Sequence, residues 1–206
     1  MARLIKKLSE FINRHPGSKI VVCGCGMSLL QFKDHHSDFI TIGVNDVSKL
    51  FNPTYLVVTD SPMRFIEKRR AEVNASNASY FFTCASGWRH ENIVHFELGK
   101  KGSAKSLDSP NMIDHFVNSP YVAAGLAYKL GAKKIGLVGV DFTDGHFYNP
   151  KDGPHPVVKV NYLKRVNSAY QELAAELKKR GVELYNLSSI SRVELPKMSI
   201  EEFKSL

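Results

Sequence analysis

The residues best suited to chemistry fall into two groups. His146, Tyr148 and His155 share one polar stretch, 142–159, which reads Phe-Thr-Asp-Gly-His-Phe-Tyr-Asn-Pro-Lys-Asp-Gly-Pro-His-Pro-Val-Val-Lys. Imidazole and phenol groups can move a proton near neutral pH or steady a developing negative charge, which suits transfer of a group onto a hydroxyl. The same side chains also occur in plain exposed loops. The second group is Asn45, Asp60 and Asp141, which follow the apolar runs Ile-Thr-Ile-Gly-Val, Tyr-Leu-Val-Val-Thr and Ile-Gly-Leu-Val-Gly-Val. An asparagine there can donate to and accept from a sugar or base. The two aspartates can hold a divalent cation between phosphates. Turn residues and N-caps carry the same side chains.

A third element would seat a phosphate. Lys19–Ser28 reads Lys-Ile-Val-Val-Cys-Gly-Cys-Gly-Met-Ser, an apolar run broken at Gly24-Cys25-Gly26, with Ser28 opening the next helix. Glycines let the backbone approach a ligand, and the free N–H groups of a helix start attract anions. The dinucleotide fingerprint wants a third glycine where Leu29 stands, so the pattern points to a nucleotide or phosphate rather than to NAD. Asn45 follows Gly24 by about twenty residues, the distance at which that pattern meets a ribose. A tight turn between strand and helix would use the same two glycines.

These groups need a sheet to hold them. Strands are predicted at 19–23, 38–44, 55–59, 80–84, 93–98, 134–140 and 182–185. Apolar residues Leu4, Ile5, Leu8, Phe11 and Ile12 have helical spacing and predict an N-terminal helix over 2–14. Another helix opens at Ser61-Pro62. Ser119 as N-cap and Pro120 in the first turn start one that Gly131 stops, and Val160 to Arg180 forms a long amphipathic one stopped by Gly181. Ser199 with Glu202 signals a capping box, with Met198 and Phe203 as a hydrophobic staple. Residues 99–118 read as a long irregular connection whose Lys100, Lys101 and Lys105 either close over an anion or stay solvated. Trp88 reads as core or rim packing, and the tail Asn186–Arg192 offers hydroxyls and a cation to a phosphate.

Together these elements predict an α/β fold: a single Rossmann-like three-layer sandwich with a mostly parallel sheet and a lid-like insertion. The whole chain, 1–206, reads as one nucleotide-binding α/β domain, with 1–17 an N-terminal covering helix, 142–159 the lid-like insertion and 193–206 a C-terminal helix. Ligands of such sheets sit beyond the carboxyl ends of the strands, where Gly24, Gly26, Ser28, Asn45, Asp60, Ser119 and Asp141 are expected to bind a nucleotide.

The 206 residues are 43% hydrophobic and 23% charged, a balance for a folded soluble chain. The net charge of +8 favours anionic partners, but no clustered basic helix or aromatic-interleaved RNA motif points to nucleic acid. The three cysteines Cys23, Cys25 and Cys84 have no disulfide or zinc spacing, which fits a reducing compartment and a cytoplasmic location. No signal peptide or membrane span is read. Peripheral membrane contact through the basic first helix and a homo-oligomer both stay open.

In this order and spacing the pieces resemble a known group. Gly24-Cys25-Gly26-Met27-Ser28-Leu29, Gly43-Val44-Asn45, Thr59-Asp60, Ser119 through Phe142 and Glu183-Leu184-Tyr185-Asn186-Leu187-Ser188 are similar to segments of the bacterial sialyltransferases of glycosyltransferase family 42. They also resemble a related domain of unknown function that includes archaeal hydroxymethylpterin pyrophosphokinases. The resemblance spans about Lys19 to Arg192. It implies a Rossmann-like sheet binding a cytidine nucleotide sugar, with Asn45 and Asp60 where that family places nucleotide-binding asparagines. It places Ser119 in a Thr-Ser-Gly segment that here reads Asn118-Ser119-Pro120. Tyr148 falls at a tyrosine that meets the departing phosphate, Thr143 at another, and His155 or Lys164 at a histidine base. Phe116 stands where the family has an arginine.

The implied activity is a glycosyltransferase that moves a sugar from a CMP-sialic-acid-like donor to a hydroxyl acceptor, using no tightly bound cofactor and no metal. His155, or His146 in its place, would be the base. The alternatives are a pyrophosphokinase using ATP with Mg²⁺ held by Asp60 and Asp141, or a non-catalytic nucleotide-binding module.

Overall fold

The computed structural model describes residues 6–116, 118–154 and 160–206, with side chains placed for 6–116, 118–149 and 162–206. In chain order the elements are β1 (Lys6–Lys7), β2 (Lys19–Cys23), α1 (Leu29–Phe32), β3 (Ile40–Val44), β4 (Tyr55–Val58), α2 (Glu67–Asn74), β5 (Tyr80–Thr83) and β6 (Ile93–His95). There follow β7 (Glu97–Lys101), β8 (Met112–His115), α3 (Ser119–Lys129), β9 (Lys134–Val138), β10 (Asp144–His146), β11 (Asn149–Pro154), α4 (Val160–Lys179), β12 (Glu183–Asn186) and α5 (Ile200–Ser205). Eight strands make one sheet in the order β1-β6-β5-β4-β3-β2-β9-β12, and every neighbouring pair is parallel.

Parallel strands are buried on both faces, which is why they read as continuous apolar runs. Side chains alternate across the sheet. Ile20, Val22, Ile42, Tyr55 and Val57 pack with Val122 and Leu126 of α3 and with Val166, Tyr170, Leu173 and Leu177 of α4. On the opposite face Val21, Cys23 and Val138 meet Leu29 and Phe32 of α1 and Phe203 of α5, while Leu56, Val58 and Phe81 meet Val73 of α2 and Trp88. The three-layer Rossmann-like sandwich expected from the sequence is the observed fold.

Four expectations are corrected. The covering helix does not form in the described part of 1–17. Lys6–Lys7 joins the sheet edge against Val94 and His95, and Leu8–Phe11 is a single 3₁₀ turn. Leu8 and Phe11 are buried as their spacing promised, but edge pairing takes the backbone that a helix would need. The connection 99–118 is not irregular. It holds the end of β7, a 3₁₀ turn at Lys105–Asp108, and β8, and β7 and β8 pair in parallel. The buried Asp114 carboxylate organises it, accepting from Lys100 N and Ser106 N at 2.7 Å each and from Ser106 Oγ at 2.8 Å. The run 93–98 is two strands, not one. Finally, the N-cap of α3 is Asn118, whose Oδ1 accepts from Tyr121 N at 2.9 Å; Ser119 is the first helical residue.

The capping box at Ser199 and Glu202 is present. Trp88 is buried among Phe65 and Phe81. Gly131 and Gly181 end their helices with positive φ, +98° and +70°. No described helix is long and apolar enough to cross a membrane.

Candidate active site

The connection reverses at β2, which lies between β3 and β9, so a crevice opens beyond their carboxyl ends. The glycines explain how closely those ends approach. Gly24 N donates to Val138 O at 2.8 Å, and Gly26 N to Gly139 O at 2.7 Å. A Cβ on Gly24 would overlap the Gly139 carbonyl, one on Gly139 the Gly24 carbonyl, and one on Gly26 the Asp141 carboxylate. The primary demand on these glycines is therefore the contact of two strand ends with each other. Of the first two, Gly26 lines the crevice together with Cys25 and Gly139.

Asp141 and Ser28, both expected on a nucleotide, are largely committed inside the protein. They are 2% and 1% exposed. The Asp141 carboxylate accepts from Ser28 N at 2.8 Å, Ser28 Oγ at 2.6 Å and Ser188 Oγ at 2.9 Å. Ser28 Oγ also accepts from Gly139 N at 2.8 Å. The tail hydroxyls are used likewise: Ser191 Oγ donates to Val140 O at 2.7 Å. One carboxylate thus ties the start of α1, the exit of β9 and the tail after β12 into a unit.

The cleft has a volume of about 220 Å³ and is bordered by Asn45, Asp60, Asn118, Ser119, Asp141 and His146, among others. Asn45 holds a left-handed backbone, φ +51°. Next to it the buried Asp46 carboxylate is paired with Arg69, from α2, and with Lys49 Nζ at 3.3 Å, and this anchors the turn. Lys49 also reaches Glu72 at 2.8 Å. Asn45 Oδ1 and Asn118 Nδ2 are buried and have no hydrogen-bond partner among the described residues. The oxygen of Asn118 is taken twice, by Tyr121 N and by Tyr170 Oη at 2.8 Å, which leaves its amide N–H groups as the unspent donor. A buried polar atom without a partner costs of order 1–3 kcal/mol, so an acceptor and a donor left unpaired on two residues that border one cleft favour a polar ligand.

Other side chains shape the mouth. Asp60 is half-exposed and pairs with Arg64 at 3.1 Å, while its carbonyl accepts from Trp88 Nε1 at 3.0 Å. Ser119 Oγ and Thr59 Oγ1 are 3.0 Å apart. Burial, with the Asp46 charge beside it, pushes the Cys25 thiol up to about 12. It is therefore no nucleophile at neutral pH.

The expected lid is a hairpin, β10 and β11, as far as Pro154. Its turn sits on the glycine segment through Phe147 N donating to Cys25 O at 3.0 Å. Phe142, Thr143, Gly145 and His146 border the cleft. The His146 and Tyr148 rings stack, with centroids 5.2 Å apart and planes 14° from parallel, and Lys49 Nζ lies 4.6 Å over the Tyr148 ring. His155 lies outside the described residues. Lys164 is exposed on α4, and Phe116 is buried against Tyr121 and Tyr162.

The pair Asp60 and Asp141 fits a divalent cation poorly, because both oxygens of Asp141 already accept hydrogen bonds and Asp60 faces an arginine.

Sequence reasoning singled out Asn45, Asp60, Ser119, Asp141 and His146, and the structure brings all five to one cleft. It missed Asn118 as a candidate. The signal was available, since Asn-Ser-Pro before a small-residue helix marks an N-cap, but a cap with a spare amide is seen only once its oxygen partners are known.

A parallel sheet with a cleft at its reversal point, covered by a hairpin that follows a strand end, defines the chain as a Rossmann-like α/β protein. Solved structures that share the fold include glycosyltransferases. The MAf glycosyltransferase from Magnetospirillum magneticum AMB-1 superposes with a TM-score of 0.63 at 12% identity, over 100% of this chain and 37% of that one. The sialyltransferase CstII from Campylobacter jejuni, in complex with cytidine-5'-monophosphate, matches with a TM-score of 0.51 at 15% identity, over 88% of this chain and 85% of that one. The sialyltransferase CST-II in complex with a trisaccharide acceptor and CMP gives 0.51 at 17% identity, over 87% and 85%. This chain spans little more than a third of the length of the first of these. No protein-family model and no curated protein matches the sequence.

Proposed function

We propose that the protein is a glycosyltransferase-like enzyme that takes a nucleotide-activated sugar, of the CMP-sialic-acid type, into this cleft and transfers the sugar to a hydroxyl acceptor. The observation that carries this reading is the pair of unpartnered buried polar atoms, Asn45 Oδ1 and Asn118 Nδ2, on residues that border a cleft at the carboxyl ends of the strands. A cytosine ring offers both an amino donor and a carbonyl acceptor, and such a pair would satisfy both asparagines. Fold-sharing proteins solved with CMP support the choice of base.

In this reading Gly26 and Ser119 border the nucleotide and Asp60 meets it at the mouth. Gly24, Ser28 and Asp141 keep the strand ends in register beneath it. The bond to the sugar breaks as negative charge gathers on the departing phosphate. The Tyr148 hydroxyl, with the Lys49 ammonium beside its ring, would stabilise that charge. His155, or His146 on the cleft wall, would take the proton of the acceptor hydroxyl.

The test is ligand-induced thermal stabilisation. CMP without metal is expected to raise Tm in the native protein, and Asn45→Ala and Asn118→Ala are each expected to cut the shift sharply. A shift from ATP only with Mg²⁺ would favour the pyrophosphokinase, and no shift from any nucleotide would sink the nucleotide reading altogether.

A further inference from the structure

The segment after β4 carries the two most exposed large hydrophobic side chains among the described residues. Met63 is 82% exposed and Ile66 74%, whereas the next, Leu206, reaches 48%. They do not dangle from a loose loop. Pro62 and Phe65 alternate with them and point inward, Pro62 is buried, and Phe65 packs edge-on to Trp88 with centroids 5.1 Å apart. Ser61 Oγ accepts from Met63 N, and Phe65 N donates back to Pro62 O at 3.1 Å. The backbone is a 3₁₀ turn over Pro62–Arg64 that leads through Phe65 to Ile66, the N-cap of α2, and it holds Met63 and Ile66 outward as a wedge.

Cations ring the wedge. Arg64 lies between the two apolar residues with its side chain 77% exposed, even though it pairs with Asp60 at 3.1 Å, and Lys68 is exposed one turn on. Arg89, next to the Trp88 that supports Phe65, is exposed as well. Glu67 is the single acid in the run Ser61–Arg70. Arg69 is not part of the ring, since its side chain is only 32% exposed and the fully buried Asp46 holds it.

We infer that this face docks the protein on an anionic phospholipid membrane, with Met63 and Ile66 entering the interface and Arg64, Lys68 and Arg89 lying against the headgroups. Apolar side chains flanked by cations are what an interface of that charge binds. A symmetric pair of copies joined through this face would bring the same cations together, which disfavours self-association. The net charge of +8 acts in the same direction as the local ring. The inference goes beyond the glycosyl-transfer reading and stands apart from it, because vesicle binding reports this face and nucleotide stabilisation reports the cleft.

The experiment is cosedimentation of the full chain with vesicles of phosphatidylcholine alone or mixed with phosphatidylglycerol, over a range of salt. Binding is expected to the mixed vesicles only, and to weaken as salt rises. Met63→Ser with Ile66→Ser is expected to lower partitioning at least about tenfold with an unchanged melting curve. Arg64→Gln with Lys68→Gln is expected to flatten the salt dependence. Equal binding to both vesicle types, no binding, or unaltered partitioning of the double serine variant would each overturn the inference. So would a loss of mass in solution from that variant, which would assign the face to a second copy.

Discussion

Removing the Asp141 carboxylate separates a brace from a ligand group. In Asp141→Ala three donors lose their acceptor: Ser28 N, Ser28 Oγ and Ser188 Oγ. Hydrogen bonds to a charged acceptor contribute about 1.5–3 kcal/mol each, so simple addition gives roughly 5–9 kcal/mol. Two features reduce that. Asp141 borders the cleft, so water can enter and serve some of the donors, and Ser28 Oγ can rotate while still accepting from Gly139 N. A loss of about 3–5 kcal/mol is the reasoned outcome. For a chain of this length each kcal/mol moves Tm by about 2–4 °C, which makes the fall roughly 6–20 °C. Asp141→Asn keeps one acceptor oxygen but turns an amide toward a donor, so it should fall between the variant and the native protein. The assay is urea and thermal unfolding followed by circular dichroism, with CMP-induced stabilisation measured on the same samples. If Asp141→Ala melts within about 2 °C of the native protein yet no longer responds to a nucleotide, the brace is refuted and Asp141 is a ligand group.

Other outcomes follow from the same geometry. Gly24→Ala should destabilise the protein by at least about 3 kcal/mol in urea unfolding, because its methyl group would meet backbone rather than a movable side chain; a loss under about 1 kcal/mol would show that the strand ends can part. Cys25 has a folded pKa of about 12 against an ordinary value of 9.0, so the folded state keeps a proton that the unfolded chain releases. Its contribution is intact below pH 9 and is lost as pH rises toward 12; Cys25→Ala should remove that part of the alkaline slope, and a thiol reagent at pH 8 should leave the native Cys25 unmodified. Lys49→Met removes the ammonium from over the Tyr148 ring and from Asp46 and Glu72. It should cost about 1–2 kcal/mol and speed limited proteolysis within 143–150, and an unchanged cleavage rate would argue that the hairpin is held by its backbone contact alone.

The central sheet was legible because its strands are buried on both faces and give way to polar residues; Val44-Asn45 announces its strand end in the bare sequence, and Val140-Asp141 falls two residues past the end of β9 at Val138. The edges were not. β1 is two lysines, and β7 carries Glu97, Gly99, Lys100 and Lys101, so neither shows apolar alternation, and their pairing partners supply what the sequence does not. Helical spacing at Leu8 and Phe11 described a buried face correctly and the backbone incorrectly. The cleft was half legible. Asn45 could be placed by its distance from the glycine turn and Asp60 by the apolar run that it follows. The commitment of Ser28 to Asp141 joins residues 113 positions apart, and no local pattern encodes it. That pairing is what turns two expected nucleotide contacts into part of the frame of the cleft.

The seat of the hairpin has a consequence for how such a protein can change over generations. It rests on the glycine turn through the Phe147 amide and the Cys25 carbonyl, main chain to main chain. Every residue except proline keeps an amide at 147, and every residue keeps a carbonyl at 25. Mutation can therefore rewrite the side chains that the hairpin turns toward the cleft without unseating the hairpin. The lining of the cleft and the seat of the hairpin are inherited separately.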